Sequence, residues 1–216
     1  MIHSVHIGDD ANLIQIILGM HSPGSRVLDT TYGQGGFWER QTANPYQVMT
    51  MDRRIPDKPP GNDFFTGDWN NLPFPPQTFD ALIFDPPFLV GGGDQSRIKL
   101  RYTSPANYQT LMRSIEDAGR EFAKVLRPKG IIIVKAMDTI DGRRRRWLHM
   151  DIANTWTSRY YLKDLFVSVA TTNIRDPGWT NQNLSRAAHC FFMVFIHRGR
   201  RKPTQWRLPW DSPTPV

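Results

Sequence analysis

The sequence contains only one cysteine, Cys190, in 216 residues. A single cysteine excludes a disulfide bond within the chain. Because Cys190 lies in a run of apolar residues, we predict that it is a buried strand residue and not a nucleophile. No apolar run approaches the ~20 residues of a membrane-spanning helix, and the first residues lack the pattern of a signal peptide. We therefore expect a cytoplasmic protein with no membrane partner.

Two common kinds of ligand site are also missing from the sequence. Its six histidines do not have the spacing of a metal site, so we expect no bound metal. The sequence has neither the Gly-x-Gly-x-x-Gly pattern of a dinucleotide site nor the lysine of a phosphate-binding P-loop. The glycine-rich segment near residue 33 is therefore either an ordinary tight turn or a site for another class of ligand.

Among the charged residues, acidic side chains are fewer than basic ones. The sequence has 27 Lys and Arg against 20 Asp and Glu, which gives a net charge of +7, and a basic surplus favours a polyanionic partner such as nucleic acid. The basic residues cluster at Arg97, Lys99 and Arg101, at Arg143, Arg144, Arg145 and Arg146, and in the tail. We predict phosphate contacts for the first two clusters, although consecutive arginines also occur in loops that only face solvent.

Short apolar runs alternate with amphipathic segments along the chain. Buried strands are predicted at residues 26–29, 47–51, 79–84, 131–135, 165–170 and 190–196, and helices at 11–20, from about 37, at 108–126 and near 147–159. This alternation indicates a three-layer, doubly wound α/β fold with a mostly parallel sheet. The last two strands have no helix between them, so the last one is predicted to be antiparallel. We expect one domain over residues 1–197 and a basic, proline-rich tail over 198–216.

The first two predicted strands end in a pattern that suits a nucleoside-containing ligand. Asp29 ends the first of these strands and is followed by a turn that contains Gly33 and Gly35. Glycines permit positive φ and a close approach of the backbone to a ligand, at the edge of the sheet where α/β proteins bind ligands. Asp52 ends the next strand, where a carboxylate can accept hydrogen bonds from both hydroxyls of a ribose.

The residues Asp85, Pro86, Pro87 and Phe88 follow the buried strand at 79–84 and carry the sharpest signal. Two consecutive prolines fix φ and remove two N–H donors, so the turn is stiff and its carbonyl groups stay available. A carboxylate and a carbonyl held there can accept both hydrogens of a planar amine, and Phe88 offers a face on which a base can stack. We expect a catalytic role for this turn rather than a simple end of a strand.

Together these motifs resemble those of the class I S-adenosylmethionine-dependent methyltransferases, and specifically the amino-methyltransferases of the D/N-P-P-Y/F type. The resemblance implies S-adenosylmethionine as the cofactor and a catalytic role for Asp85, Pro86, Pro87 and Phe88. It implies cofactor contacts for the residues of the turn and of the next two strand ends: Asp29, Thr30, Tyr32, Gly33, Gly35, Asp52, Asp68 and Trp69. Many DNA adenine enzymes of this type have Pro-Phe after the first Asp, whereas this sequence has Thr30-Thr31.

The resemblance also implies a substrate class. Asp at the first motif position is typical of enzymes that methylate adenine N6, and the cytosine N4 enzymes more often have Ser or Thr there, so we predict adenine N6 in DNA. Cytosine N4, RNA adenine N6 and a glutamine side chain of a protein stay open as acceptors. A non-catalytic subunit that keeps the fold and binds nucleic acid is a further alternative. Only residues 89–106, 139–159 and 171–185 have room for a target-recognition element.

Overall fold

The computed structural model describes residues 2–38, 44–58, 63–88, 105–141, 144–169, 184–185 and 187–198. The helices and strands of these residues are, in chain order, β1 (Val5–Ile7), α1 (Asp10–His21), β2 (Arg26–Asp29), β3 (Gln47–Asp52), β4 (Phe64–Thr66), β5 (Phe79–Phe84), α2 (Tyr108–Val125), β6 (Leu126–Ala136), β7 (Thr139–Asp141), β8 (Arg144–Arg146), α3 (Leu148–Trp156), β9 (Tyr160–Val169) and β10 (His189–His197).

One large sheet organises the fold. Its eight strands have the order β1-β9-β10-β6-β5-β2-β3-β4. All neighbouring pairs are parallel except the two pairs that β10 forms, with β9 and with β6. The mostly parallel sheet and its antiparallel last strand are therefore confirmed. From β2 the chain runs outward to β3 and β4 and then returns to β5 on the other side of β2, so the strand order reverses at β2, and ligands bind at such a reversal.

Helix α1 packs against one face of the sheet. It begins after Asp9, whose side chain accepts a hydrogen bond from the Ala11 amide and caps the helix. Its apolar side chains form a core with the strand residues that point to the same face, and this core contains Leu13, Ile14, Ile17, Leu18, Val27, Ala81, Ile83, Ile131, Ile133, Phe192 and Val194. Alternate residues of β5 and β6 thus bury one side of the sheet.

Helices α2 and α3 pack against the opposite face. Asn107 caps α2 by accepting a hydrogen bond from the Thr110 amide. The side chains of α2 meet the alternate residues Leu82, Phe84, Ile132 and Val134 of the sheet. Trp156, the last residue of α3, is 2% exposed and stacks on Phe84 with 6.3 Å between the ring centroids. The three layers that the sequence predicts are therefore present.

Several elements differ from the sequence predictions. A strand was predicted from residue 131, yet β6 already begins at Leu126, with a register shift against β5 and a positive φ of 68° at Lys129. Helix α3 ends at Trp156, and β9 begins at Tyr160, five residues earlier than predicted. The helix predicted from about residue 37 falls largely outside the described residues.

The basic segment before α3 is a β-hairpin and not a loop. Strand β8, which consists of Arg144, Arg145 and Arg146, pairs antiparallel with β7. The sequence did not indicate these strands, because the segment has no alternation of apolar and polar residues. Within the described part of the chain, no helix has the length and apolar character needed to cross a membrane.

Candidate active site

The turn after β2 is tied to both neighbouring strands. The backbone N–H and the hydroxyl of Thr30 both donate to the Ile83 carbonyl, at 3.0 and 2.9 Å, and the Tyr32 N–H donates to the Met51 carbonyl at 3.0 Å. These contacts hold the turn against β5 on one side and β3 on the other. Thr30 is fully buried, so its side chain holds the turn in place rather than facing a ligand.

Two glycines shape the rest of this turn. Gly33 and Gly35 have φ values of 59° and 84°, in the left-handed region that favours glycine. A Cβ atom at Gly35 would lie only 2.5 Å from the Tyr32 hydroxyl. The turn therefore requires glycine at position 35 both for its backbone angle and for space, and Gly35 is buried whereas Gly33 is half-buried.

Asp29 is buried beneath the turn. Its carboxylate accepts hydrogen bonds from the Thr31 amide at 3.0 Å and from the indole N–H of Trp38 at 2.7 Å. Burial raises the pKa of Asp29 to about 7, the two hydrogen bonds oppose the shift, and the negative charges of Asp85 and Asp52 add to it. Both donors are neutral, so within the described residues no positive charge is bonded to Asp29. A cation bound at this edge would therefore strongly favour the ionised form of Asp29.

Asp52 reaches the same turn from the end of β3. One carboxylate oxygen accepts from the Gly33 amide at 2.9 Å, and the other accepts from the Arg54 amide at 3.0 Å. A carboxylate has about four acceptor positions, so Asp52 keeps capacity for two further donors while its orientation is fixed. This arrangement fits the predicted contact with the two hydroxyls of a ribose.

Asp68 and Trp69 lie beyond the end of β4 and make contacts that the sequence did not reveal. Both carboxylate oxygens of Asp68 accept from one guanidinium nitrogen of Arg53, at 2.9 and 2.8 Å. The same guanidinium lies 4.1 Å from the centre of the Trp69 ring. The Trp69 indole N–H donates to the Ser114 hydroxyl. Arg53 therefore already covers one face of Trp69, and that face is closed to a stacking ligand.

The Asp-Pro-Pro-Phe turn begins at Asp85, directly after β5. The backbone N–H of Asp85 donates to the Thr31 hydroxyl at 2.7 Å, so the second residue of the Thr30-Thr31 pair joins the glycine turn to the Asp-Pro-Pro-Phe turn. Pro86 is buried, whereas Pro87 and Phe88 are half-buried. Phe88 packs at the margin of the core formed with α2 and α3. The structure thus brings Asp29, Asp52 and the turn from Asp85 to Phe88 to one edge of the sheet.

Lys135, which the sequence analysis did not single out, also lies at this site. Its ammonium group is 3.4 Å from Asp85 Oδ2 and 3.0 Å from Asp10 Oδ2. Burial alone would lower the pKa of Lys135, but Asp85 and Asp10 raise it above its usual value. Lys135 ends an apolar strand in the sequence, where a lysine looks like an ordinary boundary residue, and the sequence offered no signal for its partners.

The predicted phosphate-binding residues are only partly described. Arg97, Lys99, Arg101 and Arg143 lie outside the described residues. Arg144 is exposed, and Arg145 donates to the carbonyl and the hydroxyl of Ser185. Arg146 pairs with Asp141 and lies over the ring of Tyr108. The hairpin therefore exposes Arg144, whereas Arg145 and Arg146 are half-buried and contact other residues of the chain.

Three carboxylates and one ammonium group now define the chemistry of the edge. Asp29, Asp52 and Asp85 give it a negative character that suits a ligand with a cationic centre. Among the described residues, Asp85 Oδ1 is buried and has no hydrogen-bond partner. Because a buried acceptor without a partner is costly, this atom is suited to a donor that arrives with a substrate.

Solved structures of other proteins share the fold of this chain, whereas comparisons of its sequence find no relative. No protein-family model matches the sequence, and no curated protein matches it. An S-adenosylmethionine-dependent methyltransferase from Methanosarcina mazei superimposes with a TM-score of 0.54 at 11% identity, covering 85% of this chain and 97% of that one. The N-methyltransferase NodS from Bradyrhizobium japonicum, in complex with S-adenosyl-L-homocysteine, superimposes with a TM-score of 0.52 at 11% identity. This match covers 86% of this chain and 84% of NodS.

A further similar structure is a proposed DNA modification methylase from Thermus thermophilus. It superimposes with a TM-score of 0.44 at 19% identity. The match covers 67% of this chain and only 59% of the length of the Thermus thermophilus protein. A likeness at this level says nothing about the substrate. The chain has the Rossmann-like fold of the class I S-adenosylmethionine-dependent methyltransferases.

Proposed function

We propose that the protein is an S-adenosylmethionine-dependent methyltransferase that methylates the exocyclic amine of a nucleic-acid base, with adenine N6 in DNA as its acceptor. The observation that carries this proposal is the buried Oδ1 of Asp85, which has no hydrogen-bond partner in the described part of the chain. It belongs to a rigid Asp-Pro-Pro-Phe turn, joined through Thr31 to a glycine turn that suits a nucleoside cofactor. The fold, which is that of known methyltransferases, supports the same reaction.

The cofactor would lie across the carboxyl ends of β2 and β3. Asp52 would accept hydrogen bonds from its ribose hydroxyls, and the backbone at Gly33 and Gly35 would permit its close approach. Asp29 would complement its positive charge. At the adenine end, Arg53 occupies both Asp68 and one face of Trp69, so these three residues would act there as one preassembled unit.

When bound, the cofactor supplies an electrophilic methyl group on a sulfonium. The residues of this chain prepare the acceptor. The lone pair of an exocyclic amine is delocalised into its ring, which makes the amine a poor nucleophile. Hydrogen bonds to Asp85 and to the Pro86 carbonyl would favour a pyramidal nitrogen and expose its lone pair. Placement and preorganised acceptors would therefore provide most of the rate enhancement.

A base inside a duplex cannot reach this turn. The base must leave its stack or come from a single strand, and Phe88, which is half-buried three residues after Asp85, would stack on its face. Stacking on an aromatic side chain contributes about 1–3 kcal/mol per base. The surplus of basic residues and the arginines of β8, of which Arg144 is exposed, favour a nucleic acid over a protein as the carrier of the amine.

One experiment tests the proposal directly. The protein is incubated with radiolabelled S-adenosylmethionine and, separately, with DNA, RNA and a protein mixture, and the modified nucleoside is identified by mass spectrometry. We expect N6-methyladenine in DNA. N4-methylcytosine, or methyladenine only in RNA, would correct the acceptor, whereas label only in protein would overturn the nucleic-acid assignment. Cofactor binding without transfer to any polymer would identify a non-catalytic subunit.

The buried Asp29 predicts that cofactor binding is linked to a proton. With its pKa raised to about 7 by burial, Asp29 is largely protonated in the free protein below that pH. A bound cation favours the carboxylate, so binding releases a proton, and affinity increases as the pH rises toward 7 and levels off above it. Calorimetry of S-adenosylmethionine binding at about pH 6, in buffers of different ionisation enthalpy, measures this release.

The control for this measurement is Asp29→Asn, which cannot exchange the proton. We expect binding by that variant to be independent of the buffer. Buffer-independent binding by the unaltered protein would show that Asp29 is not the linked group.

The arginines of β8 predict how a nucleic acid is held. If Arg144 and Arg145 contact phosphates, replacing both with alanine lowers the slope of log affinity against log salt by about two units. Binding should weaken to a similar degree for unrelated sequences, because phosphate contacts carry no sequence information. Fluorescence anisotropy with two unrelated oligonucleotides at several salt concentrations measures both effects.

Arg120→Ala is the matched control, since Arg120 is an exposed arginine that pairs with Glu116 and Asp117 on α2. This variant should bind with an unchanged slope. If the double variant keeps its affinity but loses discrimination between sequences, the hairpin contacts bases, and the assignment of its arginines to phosphates is wrong.

A further inference from the structure

Lys135 is the only cation that the described residues place against the catalytic carboxylate. It lies one residue before the end of β6, on the strand next to β5, and its side chain is 17% exposed. The ammonium group is shared between Asp85 Oδ2 at 3.4 Å and Asp10 Oδ2 at 3.0 Å. A lysine with two acidic partners and little contact with solvent is held in one place.

The two oxygens of Asp85 have different surroundings. Oδ2 faces Lys135, whereas Oδ1 is buried and has no partner among the described residues. The backbone N–H of Asp85 is bound to Thr31, so the main chain is fixed as well. This asymmetry leaves Oδ1 as the oxygen available to a substrate amine.

Lys135 is itself anchored from several directions. Asp10, at the first turn of α1, directs Oδ2 to Lys135, and its Oδ1 accepts from the Ser168 hydroxyl on β9 at 2.6 Å. The ring of Phe37 lies 5.4 Å from the ammonium nitrogen. The lysine therefore links the catalytic turn to α1 and, through Asp10, to β9.

We propose that Lys135 is a positioning residue: it holds Oδ2 of Asp85 so that Oδ1 points to the acceptor amine, and Asp10 holds Lys135 in turn. This inference rests on the proposed function of the Asp85 turn and assigns to it a residue outside the Asp-Pro-Pro-Phe motif. Lys135 acts through Asp85 and is not a catalytic residue itself.

Charge explains why the turn requires a lysine. The titratable groups that face Asp85 are Lys135 on β6, Asp10 on α1, Asp29 on β2 and Cys190 on β10. Burial raises the pKa of Asp85, Lys135 lowers it, and Asp10 raises it again. Only the ionised carboxylate is purely an acceptor, so loss of Lys135 favours a protonated Asp85, which is a weaker acceptor for the amine hydrogen.

The test compares Lys135→Met, Lys135→Arg and Asp10→Asn. For Lys135→Met we expect kcat to fall by about 10- to 100-fold near neutral pH, with the acid limb of the pH profile moved to higher pH. Lys135→Arg should recover much of the loss and restore the acid limb. Asp10→Asn, which removes the group that raises the pKa of Asp85, should move the acid limb to lower pH.

Affinity for S-adenosylhomocysteine, measured by calorimetry, should stay within about threefold in all three variants, because Lys135 addresses the acceptor side. A fall in that affinity with kcat unchanged would make Lys135 a cofactor ligand and overturn the proposal. A uniform loss of kcat at every pH, with no shift of the acid limb and no recovery in Lys135→Arg, would overturn it as well.

A readout without turnover separates this inference from the proposed function. Carbon-13 NMR of the Asp carboxyl groups follows the titration of Asp85, which Asp85→Asn assigns. We expect the Asp85 transition at higher pH in Lys135→Met and at lower pH in Asp10→Asn. If the unaltered protein transfers no methyl group to any base, the proposed function fails while these shifts still report the contact. An unshifted titration in both variants overturns the role of Lys135 alone.

Discussion

Replacing Asp85 with alanine is expected to reduce methyl transfer by about 100- to 1,000-fold, the loss typical of removing one preorganised group that stabilises the reacting atoms. In the proposed mechanism the carboxylate contacts the acceptor amine and not the cofactor, so affinity for S-adenosylhomocysteine should change little. Single-turnover assays with saturating cofactor and a short oligonucleotide measure the loss. Calorimetry measures the affinity.

The matched control is Asp117→Ala, which removes an exposed carboxylate from α2 and should leave transfer unchanged. Asp85→Asn keeps an acceptor oxygen but loses the charge that pairs with Lys135, so its activity should lie between those of the unaltered protein and Asp85→Ala. Normal turnover by a folded Asp85→Ala protein would refute the mechanism.

Replacing Trp156 with alanine is expected to lower the free energy of unfolding by about 3–5 kcal/mol. Trp156 is 2% exposed, packs against Phe84, Phe122 and Phe195, and donates its indole N–H to the Ile115 carbonyl at 3.0 Å. The truncation opens a large cavity and removes that hydrogen bond. Urea denaturation followed by circular dichroism measures the change.

Trp147→Ala is the matched control, because Trp147 is 53% exposed and lies only nine residues earlier. Its effect on unfolding should stay within about 0.5 kcal/mol. Equal midpoints for the two variants would show that the core beneath the catalytic turn does not depend on Trp156. Since Phe84 directly precedes Asp85, Trp156→Ala should also lower turnover at temperatures where the variant is still folded.

The sheet could be predicted because its strands are buried on both faces. Residues 79–84 form an apolar run that only Asp80 interrupts, and every one of them is buried, as expected for a central strand of a parallel sheet. The short edge strands β1 and β4 were not predicted. They have three residues each, which is too few for a pattern of burial to appear in the sequence.

The site could be predicted where it is local in the sequence. The Asp85–Phe88 turn and the glycines after Asp29 are contiguous motifs, and the structure brings them to one edge of the sheet. Arg53 was missed because its role depends on Asp68, and Asp10 was missed because it meets Ser168 across 158 positions of sequence. Contacts of this kind follow from the sheet order and have no local pattern. Cofactor and substrate contacts of all these residues stay predictions.

The position of β10 bears on how the chain assembles during synthesis. Although β10 is the last strand of the described chain, it lies inside the sheet, between β9 and β6. A nascent chain that has not yet produced β10 leaves the apolar strand β6 with an open edge, where another chain can pair. Without β10, no described strand joins β9 and β1 to β6, so the sheet does not hold Ser168 of β9 beside Asp10. The anchoring of Asp10 by Ser168 is therefore completed only when the last described strand has been made, and β6 keeps an open edge until then.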